Sequence, residues 1–272
     1  MEVANGHSAL AFAEVNDVGL KQLGERNMLS TTLPADAREQ FFNGRSVGHI
    51  HEVATRLAEI TTLYALMVDL DPGTLHAGNR YFPPVDDPVG FWHGVKPVLD
   101  RHPILHDAEV RVSGRGLHLL VHLESALELQ SSDDQVKWDV RARVLQSTVP
   151  CDPNMPGLTA LTRPLGSANS KCGRTVERLA SGRLVAIEAV KAYCDEVVKA
   201  PFRAVAALLL GSSERVSPCP KCLGDRSRMT VLARNGRCYR CGVVTVADLF
   251  DQVMLRDQES VADQNRLEET GR

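Results

Sequence analysis

The sequence predicts an α+β protein with a small metal-binding module appended to its core. Two observations carry that expectation: helix-like and strand-like apolar patterns alternate along most of the chain, and four cysteines then follow in two close pairs. At 272 residues the chain accommodates one domain of ordinary size with an appendage, or two small domains. A net charge of -3 excludes a globally basic coat but not a local basic groove, because steering depends on where charges lie. Apolar runs such as Ala204 to Leu210 are far too short for a bilayer span, and the N-terminus lacks a basic region followed by a long apolar segment. The expectation is a soluble cytoplasmic protein with no membrane partner, and the paired cysteines suit metal binding in a reducing compartment.

In chain order, residues 1–29 offer a moderately amphipathic helix within an N-terminal helical extension, 1–49, that packs on the core. Residues 50–60 give a second helix, with Val53, Leu57 and Ile60 on one stripe. Residues 63–71 form a strand, and 88–101 a helix that Pro97 starts or kinks. Val110 to Val112 and Leu117 to Leu123 are two strands joined by a glycine-containing turn at 113–116. Trp138 to Leu145 suggests a helix, Leu158 to Thr162 a short strand, and 183–199 the strongest helical segment. Gly211-Ser212-Ser213 marks a hinge between a core spanning 50–211 and a cysteine module at 212–245. The tail, 246–272, begins as a helix and fades into a polar stretch.

Asp69 and Asp71 end the apolar run Leu66-Met67-Val68, just before Pro72 and Gly73 turn the chain. Strand side chains alternate, so both carboxylates project from one face. They repel unless a cation sits between them, and a hard, oxygen-seeking divalent ion that carries nucleotide phosphates is the simplest candidate. In Ser113-Gly114-Arg115-Gly116-Leu117-His118, the glycines permit a tight turn and close backbone approach to a ligand. His118 lies on the strand face opposite Leu117 and Leu119, where its imidazole can donate to a phosphate oxygen, and Arg115 can add a bidentate contact. A third stretch, Leu161-Thr162-Arg163-Pro164-Leu165-Gly166-Ser167-Ala168-Asn169-Ser170-Lys171, combines two bases with small residues and an amide, a plausible clamp for phosphate and sugar. The lysine-containing glycine loop of P-loop ATPases is missing from the sequence, so no helicase domain of that class is expected in it.

These three stretches, in this order, resemble the signatures of the archaeo-eukaryotic primase superfamily, specifically its primase-polymerase branch in phages, plasmids and mobile elements. The resemblance covers roughly residues 50–210. It implies a catalytic core built from a sheet like that of RNA-recognition modules plus a flanking α/β unit. It further implies that Asp69 and Asp71 bind catalytic Mg2+ or Mn2+ and that His118 contacts the triphosphate. Asp152 then stands where the family has its third acid, with Asp139 the less favoured candidate. Ser113, Arg115, His118, Arg163, Ser167, Asn169 and Lys171 make up the expected nucleotide-binding set.

Cys219-Pro220-Lys221-Cys222 and Cys238-Tyr239-Arg240-Cys241 are two C-x-x-C knuckles separated by 15 residues, which points to a tetrahedral structural Zn2+. Lys221, Arg226, Arg228, Arg234, Arg237 and Arg240 make the ribbon basic, and Tyr239 can stack on a base. The module resembles the zinc ribbons attached to many primases, which implies a grip on single-stranded DNA template. The function expected is therefore a DNA primase or primase-polymerase, a nucleotidyltransferase making short primers from nucleoside triphosphates. A separate replicative helicase is the expected partner. The alternatives are a non-catalytic replication-initiation or single-strand-binding protein with a degenerate core, and, less favoured, a metal-dependent nuclease. His49, His51, His76, His93, His102 and His106 have no compact ligand spacing and receive no role.

Overall fold

The computed structural model describes residues 57, 60, 62–70, 72, 87–112, 114–152, 154–162, 165–166 and 172–254, together with a two-residue strand at 29–30. Most of the expected helices at 1–29 and 50–60, and the tail beyond 254, lie outside the described residues. Four strands build the central sheet: β2 (Thr62–Leu70), β3 (Glu109–Val112), β4 (Leu117–Glu128) and β6 (Arg178–Ala180). Their order is β2-β4-β3-β6, and every neighbouring pair is antiparallel. A separate ladder pairs β1 (Leu29–Ser30) with β5 (Leu161–Thr162).

The period-2 alternation divides this sheet into two unlike faces. Leu66, Val68, Leu70, Val110, Leu117, Leu119 and Val121 enter the main core. Helices α1 (Pro88–Leu99), α2 (Ser132–Ser147) and α3 (Ile187–Val197) supply Phe91, Val95, Trp138, Leu145 and Val190 to the same core. The residues between those strand positions point the other way. Met67 and Leu120 form a small second cluster with Met155 and Ala160, and Asp69, His118 and Arg111 share their strand parity.

Capping chemistry explains the helix boundaries. Asp87 accepts from Gly90 N at 2.9 Å to start α1, and Pro97 lies in its last turn, where it withholds the N–H that would bond to His93 O. The α2 helix begins six residues before the expected Trp138, because Ser131 accepts from Asp134 N and places two acids in the first turn. α3 begins at Ile187, after the expected 183. A further helix, α4 (Pro201–Leu210), was not expected: Pro201 opens it, and Gly211 closes it with a left-handed φ of 68°. β4 runs five residues beyond the expected Leu123, and β6 is too short and too charged at Arg178 to carry a strand pattern.

Strands β7 (Arg215–Val216), β8 (Met229–Val231), β9 (Gly236–Cys238) and β10 (Gly242–Val244) form an antiparallel ribbon in the order β10-β9-β8-β7. A helix follows over 246–254, its first turn capped by Thr245 and Asp248. The ribbon is docked rather than tethered. Phe202 N donates to Ala233 O at 3.0 Å, and Met229, Val231, Val244 and Phe250 belong to the main core. Gly211, expected in a hinge, is thus a helix cap beside a packed interface. Among the described residues, no helix is long and apolar enough to cross a membrane.

Candidate active site and metal centre

Asp69 and His118 sit directly opposite each other on adjacent strands. That register fixes their meeting: His118 Nε2 lies 3.9 Å from Asp69 Oδ2. The His118 side chain is buried, while that of Asp69 retains 27% of its surface, so the carboxylate faces solvent and the imidazole lines the wall behind it. On the other side of the ring, Nδ1 is 2.9 Å from Thr162 Oγ1. The Thr162 contact at Nδ1 and the approach of Nε2 to the acid hold the ring from both sides. Thr162 lies inside the stretch read from the sequence as a clamp, but sequence reasoning gave it no role.

Asp152 is brought to the same place by the edge of the sheet. β2 is an outer strand, and the segment after α2 covers its free side. Asp152 N donates to Asp69 O at 3.2 Å, and Asp69 N lies 3.1 Å from Met155 Sδ. Gln146 Nε2 donates to Met67 O of β2 at 3.2 Å and to Pro156 O of that segment at 2.9 Å, tying the two together. Cys151 is enclosed there: burial pushes its thiol up to about 12, and the Asp69 and Asp152 charges act in the same direction. Asp139 is committed elsewhere, accepting from Leu158 N at 3.0 Å and pairing with Arg143 at 2.8 Å. The Asp152 backbone thus adjoins that of Asp69, while the Asp152 carboxylate accepts from Asn154 N at 2.8 Å.

The register continues past His118. Arg111 on β3 faces His118, and Arg178 on β6 faces Arg111, giving a four-strand row. Arg111 is 1% exposed and pairs with Glu109. His122 Nε2 lies 3.0 Å from the second Glu109 oxygen, and Arg178 Nε 3.5 Å from the first. Burial alone would raise the Glu109 carboxyl, but hydrogen bonds from His122 and Arg111 outweigh it and hold the group down at about 2. This buried charge network was not foreseen. Its members are spread over 70 residues of charged but otherwise unremarkable sequence, and only strand pairing unites them.

Arg115 is exposed at the tip of the β3–β4 turn, where Gly114 adopts φ 152°, a conformation side chains rarely accept. Asp71, Ser113, Arg163, Ser167, Asn169 and Lys171 lie outside the described residues. Among the described residues, Asp69, His118 and Asp152 do not bring their ligand atoms within 4.8 Å of one another; the four cysteines are the group that does.

The cysteine module meets a sharper test. The sulfur atoms of Cys219, Cys222, Cys238 and Cys241 all lie within 4.8 Å of one another. Cys219 and Cys241 are 3.7 Å apart, Cys222 and Cys238 3.9 Å. Four thiolates at about 2.3 Å from a tetrahedral centre would be separated by roughly 3.8 Å, so the set fits a structural zinc. Ser227 braces the first knuckle, accepting from Cys219 N at 3.0 Å and donating to Gly224 O. Arg240 N donates to Cys238 Sγ at 3.4 Å in the second. Arg226, Arg228, Arg234, Arg237, Tyr239 and Arg240 are exposed. Lys221 is engaged: its Nζ donates to Val243 O at 3.0 Å and lies 3.5 Å from Asp248.

No protein-family model and no curated protein matches this chain. Among solved structures, the chain is similar to the primase-polymerase (archaeo-eukaryotic primase) domain of cyanophage S-2L, with 18% identity and a TM-score of 0.35. The match spans 50% of this chain and 63% of that one, less than two thirds of its length. The relation is distant. The fold class is α+β, with small antiparallel sheets and a four-cysteine centre.

Proposed function

We propose that this protein is a template-directed nucleotidyltransferase, a DNA primase or primase-polymerase that makes short primers from nucleoside triphosphates on single-stranded DNA. The observation that supports the reading is the meeting of Asp69 and His118 across β2 and β4, with the Asp152 backbone hydrogen-bonded to that of Asp69. Asp69 and His118 come from stretches read from their own residues as a metal-binding pair and a phosphate contact, and Asp152 is the third acid that the family resemblance implies.

In this reading Asp69, Asp71 and Asp152 hold Mg2+ or Mn2+. When bound, the ions activate a 3'-hydroxyl and neutralise charge on the triphosphate and departing pyrophosphate. The protein itself positions the reactants. Thr162 orients the His118 ring so that Nε2–H points to a phosphate oxygen beside Asp69. Arg115, on its glycine turn, and the stretch containing Arg163, Ser167, Asn169 and Lys171 grip the rest of the nucleotide. Burial of His118 between strands keeps the donor fixed, so little reorganisation accompanies reaction. The basic ribbon contributes contacts to the template, and unwinding falls to a separate helicase.

Purified protein incubated with a single-stranded template, Mg2+ or Mn2+, and labelled nucleotides of each sugar type, without primer, is expected to yield short products. Asp69→Ala combined with Asp71→Ala abolishes them while circular dichroism stays unchanged. Full incorporation by that variant would sink the assignment. Template degradation without incorporation would favour the nuclease, and template binding without either a degenerate core.

A further inference from the structure

The zinc ribbon has one face that its own fold leaves open. Val243, Arg237, Thr230 and Arg215 stand in register across all four strands, β10-β9-β8-β7. All four are exposed, whereas their strand neighbours Val244, Gly236, Cys238, Met229 and Val231 are buried. Arg228, Leu232 and Tyr239 flank this row with the same strand parity, and each is exposed. None of the seven side chains is acidic, although acids outnumber bases in the whole chain, 34 to 31.

Tyr239 gives the face a second, independent feature. It is 75% exposed, the most exposed large apolar side chain among the described residues. Yet it is not loose, because its hydroxyl donates to Arg226 O at 2.7 Å. An aromatic ring held by its polar end, with its faces in water, is a preorganised stacking platform that pays little entropy on use. The four strands span roughly 14 Å at about 4.8 Å per gap. A single strand rising about 3.4 Å per nucleotide covers that width with roughly four nucleotides.

We propose that this face binds single-stranded nucleic acid, with Arg215, Arg228 and Arg237 taking phosphates and Tyr239 stacking on one unpaired base. The unpaired base is required because a paired one has no face free for the ring. Lys221 stands outside the surface, tied to Val243 O and Asp248. The inference deepens the template contact proposed above, naming its face and adding Arg215, but it concerns binding alone and stands whether or not the core polymerises.

The test is fluorescence anisotropy of a labelled oligo(dT) titrated with the full-length zinc-loaded protein, without nucleotides, across a salt series. Each phosphate contact to a single strand contributes about -0.7 to the slope of log K against log salt. Arg215→Ala, Arg228→Ala and Arg237→Ala should each flatten that slope by about 0.7. Tyr239→Ala should weaken binding about 5- to 150-fold with the slope unchanged. Lys199→Ala, at an exposed base outside the ribbon, should leave both unchanged. Zinc content and circular dichroism confirm that each variant is folded, and Arg237→Gln supplies a milder replacement. An Arg215→Ala, Arg237→Ala double variant with parental affinity and slope would overturn the proposal. So would equal losses in the Lys199 variant, or tighter binding of duplex than of single strand with no effect of Tyr239→Ala. Loss of primer synthesis alone leaves these binding results intact, so the two readings fail separately.

Discussion

Replacing Glu109 with Gln removes one charge from the buried network under the sheet and leaves Arg111, 1% exposed, without its ionic partner. Removing one member of a buried pair typically costs about 3–5 kcal/mol, because the surviving charge stays desolvated. The native Glu109 carboxyl, displaced from 4.5 to about 2, points to the same scale, each pH unit of displacement being worth about 1.4 kcal/mol. Arg178, with a side chain 40% exposed, adds little. Against a total stability of about 5–15 kcal/mol, the loss is large. Urea unfolding followed by circular dichroism should show a lower midpoint at an unchanged m-value. The sign with pH follows from the lowered native value: the stabilisation is complete above about 4.5 and fades as pH falls toward 2. The gap between parent and variant should therefore close on acidification. A combined Glu109→Leu, Arg111→Met variant should recover most of the loss, since two apolar residues replace the pair. A cost below about 1 kcal/mol at pH 7, or a gap that does not change with acid, would refute the reasoning.

Three further outcomes follow from other sites. His102 is buried, its Nδ1 accepting from Ile104 N and Leu105 N while Nε2 contacts Thr148 Oγ1 at 2.9 Å; burial, with the charge of His106, lowers it to about 3. Because the unfolded chain binds the proton first, stability should fall by about 1.4 kcal/mol per pH unit between 6.5 and 3, and ring nitrogen NMR shifts should report a neutral imidazole at pH 5. Gly182 has φ +67°, and an added Cβ would lie 2.4 Å from Glu109 N and 2.8 Å from Asp107 O. Gly182→Ala should thus lower stability by about 1–3 kcal/mol in thermal unfolding, and a neutral result would contradict the backbone path there. Cys238→Ser should lose the bound zinc measured by elemental analysis and lower the melting temperature, since Met229 and Val244 of the ribbon belong to the main core; retention of one zinc per chain would contradict the four-thiolate centre.

Local pattern carried much of this protein. The alternation in Leu66 to Leu70 and Leu117 to Val121 specified strands and their buried sides, because period 2 is a property of the chain itself. The C-x-x-C pairs specified a tetrahedral thiolate centre for the same reason: each pair closes within a single turn. Pairing was not legible. That Asp69 faces His118, that Asp152 caps the open edge of β2 while Asp139 turns away, and that Glu109, Arg111, His122 and Arg178 share one buried cluster all depend on strand order and register. Those are set by how distant apolar faces pack together, and no short stretch of sequence encodes them. The ribbon shows the same division. Its basic composition was visible in the sequence, but only the fold separated Lys221, spent on Asp248, from the arginines left facing water.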